Sequence, residues 1–357
     1  IREVDLRLLS RNPESSHTST AKVLTNAVGM GITLTNPVFA ALASAMLFGS
    51  STPLAKVLVD ELPPVALAGL LYFGSGIGLL TWRWWKSAGT TVQEAPLARA
   101  DWGWMTGAIL AGGVIAPVLL MLGLARTSGS AAALLLNLEG VFTALLAWFI
   151  FHENVDRRIA VGFFLIAAGG GLLSWEGAPA GGLPLGALFV VAACLGWAVD
   201  NNLTQRVSGS DPVQVAGIKG LASGCVNLAL AGVIGWQPGD LLPVVAALTL
   251  GFLGYGVSLS LFVWALRHLG TARTGAYFSV APFFGAAFAL IFLAERPGAL
   301  FWLAAGMMGI GVWLHVTERH AHVHRHERLV HAHAHRHDEH HQHEHDQLWD
   351  GSEPHTH

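Results

Sequence analysis

The chain has 357 residues, of which 53% are apolar and only 12% charged. A water-soluble domain carries about 25% charged residues, so an ordinary soluble fold is excluded and the lipid bilayer is the expected solvent. The formal charge of −3 averages basic loops with an acidic, His-rich end, and two cysteines, Cys194 and Cys225, are too few for a disulfide framework or a Cys-based zinc site.

Residues 1–36 are polar, lack the apolar core of a signal peptide and read as a cytoplasmic tail. Ten apolar runs follow, near Pro37–Val59, Pro63–Trp82, Trp102–Leu124, Ser130–Phe151, Ile159–Trp175, Leu185–Arg206, Pro212–Trp236, Leu242–Leu266, Thr271–Ala294 and Ala299–Val316. Each is close to the ~20 residues that cross a ~30 Å hydrocarbon core. The runs are continuous rather than alternating, and lipid leaves no partner for open backbone, so they read as helices. A Gly/Pro-rich gap, EGAPAGGLP, separates the fifth from the sixth. Closely spaced Gly, Ala and Ser let neighbouring helices approach.

Lys and Arg set the orientation. With the N-terminus inside, the inner segments hold sixteen basic residues and the outer ones three, Lys56, Arg126 and Arg296. Both termini are therefore expected in the cytoplasm of a multi-pass protein of a bacterial inner membrane.

The chain also repeats. Residues 134–153 (LLLNLEGVFTALLAWFIFHE) match 276–295 (AYFSVAPFFGAAFALIFLAE), aligning Glu153 with Glu295. PPVALAGLL (63–71) matches DPVQVAGIK (211–219). Five spans per half is an odd number, so the halves, 37–175 and 184–316, must be inverted in the membrane. The fold expected is an all-α integral membrane protein of ten transmembrane helices in two inverted five-helix repeats. That is the plan of many secondary transporters.

LFGSSTPLAKVL, ALLLNLEGVFTALLAWFIFHENVDRRIAVGFFLIAAGG and their second copies resemble the EamA-type family of the drug/metabolite transporter superfamily. The resemblance covers roughly 37–316. It implies ten helices, cytoplasmic termini, a central cavity between the halves and export of small molecules. One departure stands out. The second copy has Ala281 and Pro282 where the first has Glu139 and Gly140.

Ionisable residues deep in a span are costly and are functional candidates by default. Glu139, with Asn137 two residues before it, reads as a cation or proton site or as a structural carboxylate bonded to a neighbouring helix. Asp200, Asn201 and Asn202 form a polar run in the sixth span, fit to line a cation path or to cap a shorter helix. Lys219 reads as the counter-charge of Asp200 or Glu139, or as a snorkelling residue. Ser50, Ser51, Thr52 and Pro53 offer a break in the first span that would suit a cavity wall. His152 and Glu153 read as boundary residues at a cytoplasmic helix end.

Residues 317–357 form the most unusual segment, and from His315 onward lie fifteen of the chain's 18 histidines. His320, His322, His324, His326, His331, His333, His335, His337, His340, His341, His343 and His345 recur at H-x-H spacing. Neutral imidazole ligates nickel, cobalt, copper and zinc. The composition reads as a disordered, metal-binding segment, or as a pH-responsive or idle one. Such tails are similar to those of bacterial nickel and cobalt resistance proteins, including exporters of this superfamily.

No Walker loop, H-E-x-x-H or dinucleotide fingerprint is present, so neither an ATP-driven pump nor an enzyme is expected. No cofactor is required, and a divalent metal is expected as tail ligand. Expected partners are the bilayer and a small solute or metal ion, with a homodimer left open and no nucleic acid. The leading expectation is efflux of nickel or cobalt by proton antiport. Beside it stand export of amino acids or metabolites with a regulatory tail, and a membrane-anchored metal sensor or store.

Overall fold

The computed structural model describes residues 36–87, 97, 99–151, 157–176, 184–207, 210–269 and 271–317, with 334–335 and 355–356 in the tail. Ten helices among the described residues are long and apolar enough to cross a membrane. They are span 1 (Pro37–Leu58), span 2 (Pro64–Trp84), span 3 (Arg99–Leu124), span 4 (Gly129–Phe149), span 5 (Arg157–Trp175), span 6 (Leu185–Gln205), span 7 (Pro212–Val233), span 8 (Leu241–Leu266), span 9 (Arg273–Phe292) and span 10 (Ala299–Val316). Their starts follow local rules. Asn36 and Asp211 cap spans 1 and 7 through side-chain oxygens, each followed at once by a proline that needs no donor. Ser128 caps span 4.

The ends of the spans meet in pairs that fix their directions. Arg83 at the end of span 2 bonds Asp211 at the start of span 7 (2.7 Å). Arg206 at the end of span 6 stacks over Trp104 near the start of span 3. Arg158 at the start of span 5 donates to Thr317 after span 10. These ends define one face, called here the basic face. On the far face Lys56 donates to the Leu124 carbonyl, joining the ends of spans 1 and 3. Span 1 thus begins, and span 10 ends, on the basic face, whereas span 6 begins on the far face. The second half is the first one inverted, as the odd span count requires.

The halves interlock. Spans 2 and 7 cross with Gly76 and Gly220 in direct contact, so that a Cβ on either would strike the other's backbone. Span 3 packs on span 6 as span 8 packs on span 1, and span 4 packs on span 6 as span 9 packs on span 1. Ser44 and Ser258 exchange side-chain hydrogen bonds to each other's carbonyls (2.7 and 3.0 Å) across spans 1 and 8. Spans 5 and 10 pack chiefly on one another, through Gly162 and Gly311, at the edge of the body. Without a solvent difference to drive helices together in lipid, close approach at small residues supplies the contact energy.

Four spans are interrupted, and they are two symmetry pairs. Spans 3 and 8 each contain a π-helical stretch, Ile109–Ile115 and Phe252–Val257. Span 4 breaks into 4a (Gly129–Leu135) and 4b (Asn137–Phe151), and span 9 into 9a (Thr271–Phe278) and 9b (Ala281–Phe292). The break expected near Pro53 does not occur, because span 1 is helical through it. The Gly49 carbonyl, which Pro53 deprives of its helical donor, lies against Gly285 of 9b.

The tail forms a separate unit from Arg319. Its described part is one short antiparallel pairing, Ala334 with Thr356 and His335 with His355.

Asp211 joins capping to charge. Burial pushes its carboxyl up, but the Arg83 guanidinium and the N–H groups of Gln214 and Val213 outweigh that and hold it below the usual carboxylate range. A lowered folded-state pKa contributes stability above the unfolded pKa and loses it as pH falls through the folded one. Asp211→Ala should therefore lower thermal stability in detergent at pH 7 by about 1 kcal/mol for the lost cap. The gap to wild type should narrow at pH about 3, below the ordinary Asp value. A gap that is constant with pH would contradict this account.

Candidate functional site

The polar residues singled out in spans 4, 6 and 7 come together midway through the body. In span 6, Asp200 and Thr204 lie one turn apart, and Lys219 of span 7 reaches both. Its ammonium donates to Asp200 Oδ1 and Oδ2 (2.5 and 2.7 Å) and to Thr204 Oγ1 (3.2 Å), while Thr204 donates to Asp200 Oδ1 (2.9 Å). The pair is buried, with side-chain exposures of 7% for Asp200 and 16% for Lys219. Lys219 is therefore the counter-charge of Asp200, one of the roles its position allowed. A Cβ on Gly112 of span 3 would collide with the Asp200 carboxylate, so only glycine fits there.

Glu139 stands apart from that pair but within its electrostatic reach. It lies in the first turn of 4b, where the half-helix N-terminus favours negative charge. No ammonium or guanidinium among the described residues bonds its carboxylate. It accepts instead from Asn201 Nδ2 (2.9 Å), which also reaches Thr143 Oγ1 (3.2 Å). Asn202 donates to the carbonyls of Thr143 and Ala198, tying 4b to span 6. Asn137 is buried and donates to the Leu134 carbonyl freed by the break in span 4 (2.8 Å), so it seals the interruption rather than facing the groove.

A groove of about 480 Å³ runs from this cluster along 4b and span 6, lined by Gly140, Thr143, Ala144, Ala147, Asn201, Asn202 and Gln205. A wall carrying three amides and a hydroxyl is too polar to face hydrocarbon without cost. The groove lies in the basic-face half of the body.

Packing shows which way the body is open. On the far side 4a packs firmly against 9b. The symmetry twin of that contact is 4b against 9a, on the basic side, and no comparable contact is made there among the described residues. Among the described residues the far side is thus the more tightly closed of the two. A larger recess of about 580 Å³ on the far face is lined by Lys56, Arg126, Ser128 and Pro297 among others, and lies beyond the closed contact.

Several site residues were not singled out in the sequence. Tyr72 of span 2 and Trp197 of span 6 both donate to the Gly112 carbonyl (2.9 Å each), and Asn227 of span 7 donates to the Gly113 carbonyl (3.1 Å). They satisfy carbonyls exposed by the π-helical stretch of span 3, a feature that marks functional sites. Thr143 and Thr204 sit one turn beyond Glu139 and Asp200, and that i,i+4 spacing was the available signal. Tyr72 and Trp197 had none, because nothing in the sequence announces a π-helix.

The tail histidines expected to bind metal, His320, His322, His324, His326, His331, His333, His337, His340, His341, His343 and His345, lie outside the described residues, as do His152 and Glu153. His335 is described only in its strand pairing. Among the described residues no group of three or more His, Cys, Asp or Glu side chains is placed to hold a metal ion.

The chain matches the model of the family described as "EamA-like transporter family" twice, over residues 35–175 and 184–317. It is similar to a protein of Methanothermobacter thermautotrophicus named as an uncharacterized transporter, at 30% identity over 285 residues, covering 75% of this chain and 81% of the relative. A second protein so named, from Synechocystis sp., is 22% identical over 316 residues, covering 82% and 91%. A solved crystal structure superposes with a TM-score of 0.55 at 19% identity, covering 78% of this chain and 95% of that one, and it shares the fold.

The buried pair gives a direct stability test. Removing one member of a buried ion pair strands the other charge and costs about 3–5 kcal/mol, whereas replacing both is often neutral. Asp200→Asn and Lys219→Met should each lower the melting temperature in detergent, and the double variant should recover most of the loss. Additive losses would show that the two side chains are not coupled.

Proposed function

Because the chain belongs to the EamA-like transporter family, we propose that it is a secondary-active exporter of a cationic cargo, exchanged for protons at Glu139. The basic face is taken as cytoplasmic by its excess of Lys and Arg, which makes the described conformation inward-open. The observation that carries the reading is the contrast between the two buried acids. Asp200 is neutralised by Lys219, whereas Glu139, among the described residues, is held by an amide beside the groove and by no cation. A carboxylate without a fixed counter-ion in a low-dielectric site favours taking up a cation or a proton, and the two compete for it.

Nickel or cobalt is the first cargo on this reading, favoured by the His-rich sequence that follows span 10 on the cytoplasmic side. Exporting a divalent ion from a negative interior costs about 4.6 kcal/mol at 100 mV, which inward proton movement offsets. A second reading, an amino acid or other amine-bearing metabolite, is favoured by the groove itself. Its amide and hydroxyl oxygens can accept beside one carboxylate, a set that suits an ammonium group, and the tail is then regulatory. A membrane-anchored sensor or store predicts metal binding without flux.

Inside-out vesicles with an imposed pH gradient separate these readings. Wild-type protein should accumulate one member of a panel of nickel, cobalt, zinc and amino acids while releasing protons. Glu139→Gln should reduce proton-driven uptake by about 10²-fold or more, since it removes both charge and titration. Undiminished uptake with normal proton release in Glu139→Gln would overturn the role of Glu139. Deleting 317–357 should raise the half-saturating concentration of a metal cargo and leave that of an amino acid unchanged.

A further inference from the structure

On the far face a second polar contact joins the halves, outside the groove. Glu295 follows span 9b. Its carboxylate accepts from the backbone N–H of Gly129 (2.7 Å to Oε1) and of Ser130 (2.9 Å to Oε2), the first two residues of 4a. Both bonds are charge-assisted, and the half-helix N-terminus adds a favourable field. The other span caps seen here are local: Asn36, Ser128 and Asp211 serve N–H groups two or three residues further on. Glu295 serves residues 166 and 165 positions away, in the other half.

The elements it joins are the two that close the far face. Just inside the membrane from it, Gly285 of 9b lies against Ala133 of 4a and Gly49 of span 1. The residue before it is also unusual. Ala294 has φ 52°, the only positive φ of a non-glycine residue among the described residues. A left-handed conformation is unfavourable for alanine and persists only where its surroundings hold it. Here it turns the chain after 9b and brings the Glu295 carboxylate back over the end of 4a.

We propose that Glu295 is the latch of the far gate. It is a positioning residue that holds 4a on 9b while the pathway is open to the basic face, and lets go when the far face opens. The pseudo-two-fold packing gives the reason. In the opposite state 4a and 9b must part and 4b and 9a must meet, so both N–H···O bonds to Glu295 break once in each cycle. Their strength then helps set the population of the two states. The inference rests on alternating access in a transporter of this family and not on the nature of the cargo.

Native thiols report on it without any cargo. Cys194 of span 6 is buried and its Sγ donates to the carbonyl of Leu135, the last residue of 4a (3.6 Å). Because 4a covers it, a reagent added on the far side reaches it when 4a leaves its place. Cys225, exposed on span 7, is replaced by alanine. Glu295→Gln and Glu295→Ala in that background, labelled in vesicles of both orientations with a membrane-impermeant thiol reagent, should modify Cys194 about tenfold faster from the far face. The rate from the basic face should not rise. Glu295→Asp, which keeps the charge on a shorter arm, should fall between them. An unchanged rate from the far face overturns the latch. So does an equal rise from both faces, or a rise only with lost helical circular dichroism, because either marks general loosening. Failure here would leave the Glu139 flux result standing, and the reverse also holds.

Discussion

Inside a bilayer every backbone N–H and C=O must find a partner within the protein, because hydrocarbon offers none. That constraint explains where this molecule keeps its polar side chains. Six spans run without an interruption and carry the ordinary apolar load. Spans 3, 4, 8 and 9 are interrupted near mid-membrane, and at the interruptions of spans 3, 4 and 9 side chains answer the freed carbonyls. Tyr72, Trp197 and Asn227 serve Gly112 and Gly113. Asn137 and Cys194 serve Leu134 and Leu135, and Ser279 serves Ala276. Non-helical backbone at this depth is tolerated only where protein or a wet cavity meets it, so the interruptions and the polar cluster of spans 4, 6 and 7 occupy the same level.

The halves share a fold but not a chemistry. The pseudo-two-fold axis places Ala281 where the first half has Glu139. Ala281 presses its carbonyl on Gly49, whereas Glu139 stands by the groove. The charged pair is one-sided too, since the span 2 position matching Lys219 is Leu71, a buried apolar residue. A symmetric scaffold can exchange two conformations of similar energy, while an asymmetric set of charges can make the cargo prefer one of them. Differential affinity of that kind is the only means by which a solute shifts such an equilibrium.

Much of this was legible in the sequence. The span count, the inversion and the pairing of halves follow from hydrophobic run length, from Lys and Arg placement and from the 134–153 and 276–295 match. These signals are additive over many residues, so local exceptions do not erase them. Glu139, Asp200 and Lys219 were legible because a charge in lipid is costly wherever it faces. What stayed hidden depends on partners distant in sequence. Nothing near Lys219 told Asp200 from Glu139 as its partner. Pro53 suggested a break where span 1 stays helical, while Asn137 and Pro282 lie beside the breaks in spans 4 and 9 without announcing them. Glu295 aligned with Glu153 as a boundary residue, and its bonds to Gly129 and Ser130 required the fold.

The central claim is a water-filled pathway beside Glu139, reached from one face of two interlocked inverted halves. Thr143 lines that groove one turn from Glu139. With both native cysteines replaced by alanine, Thr143→Cys should react with an impermeant thiol reagent added on the side of Arg83 and Arg206, and addition of transported cargo should slow the reaction. Reaction from the opposite side alone, or only with lipid-soluble reagents, would contradict the account.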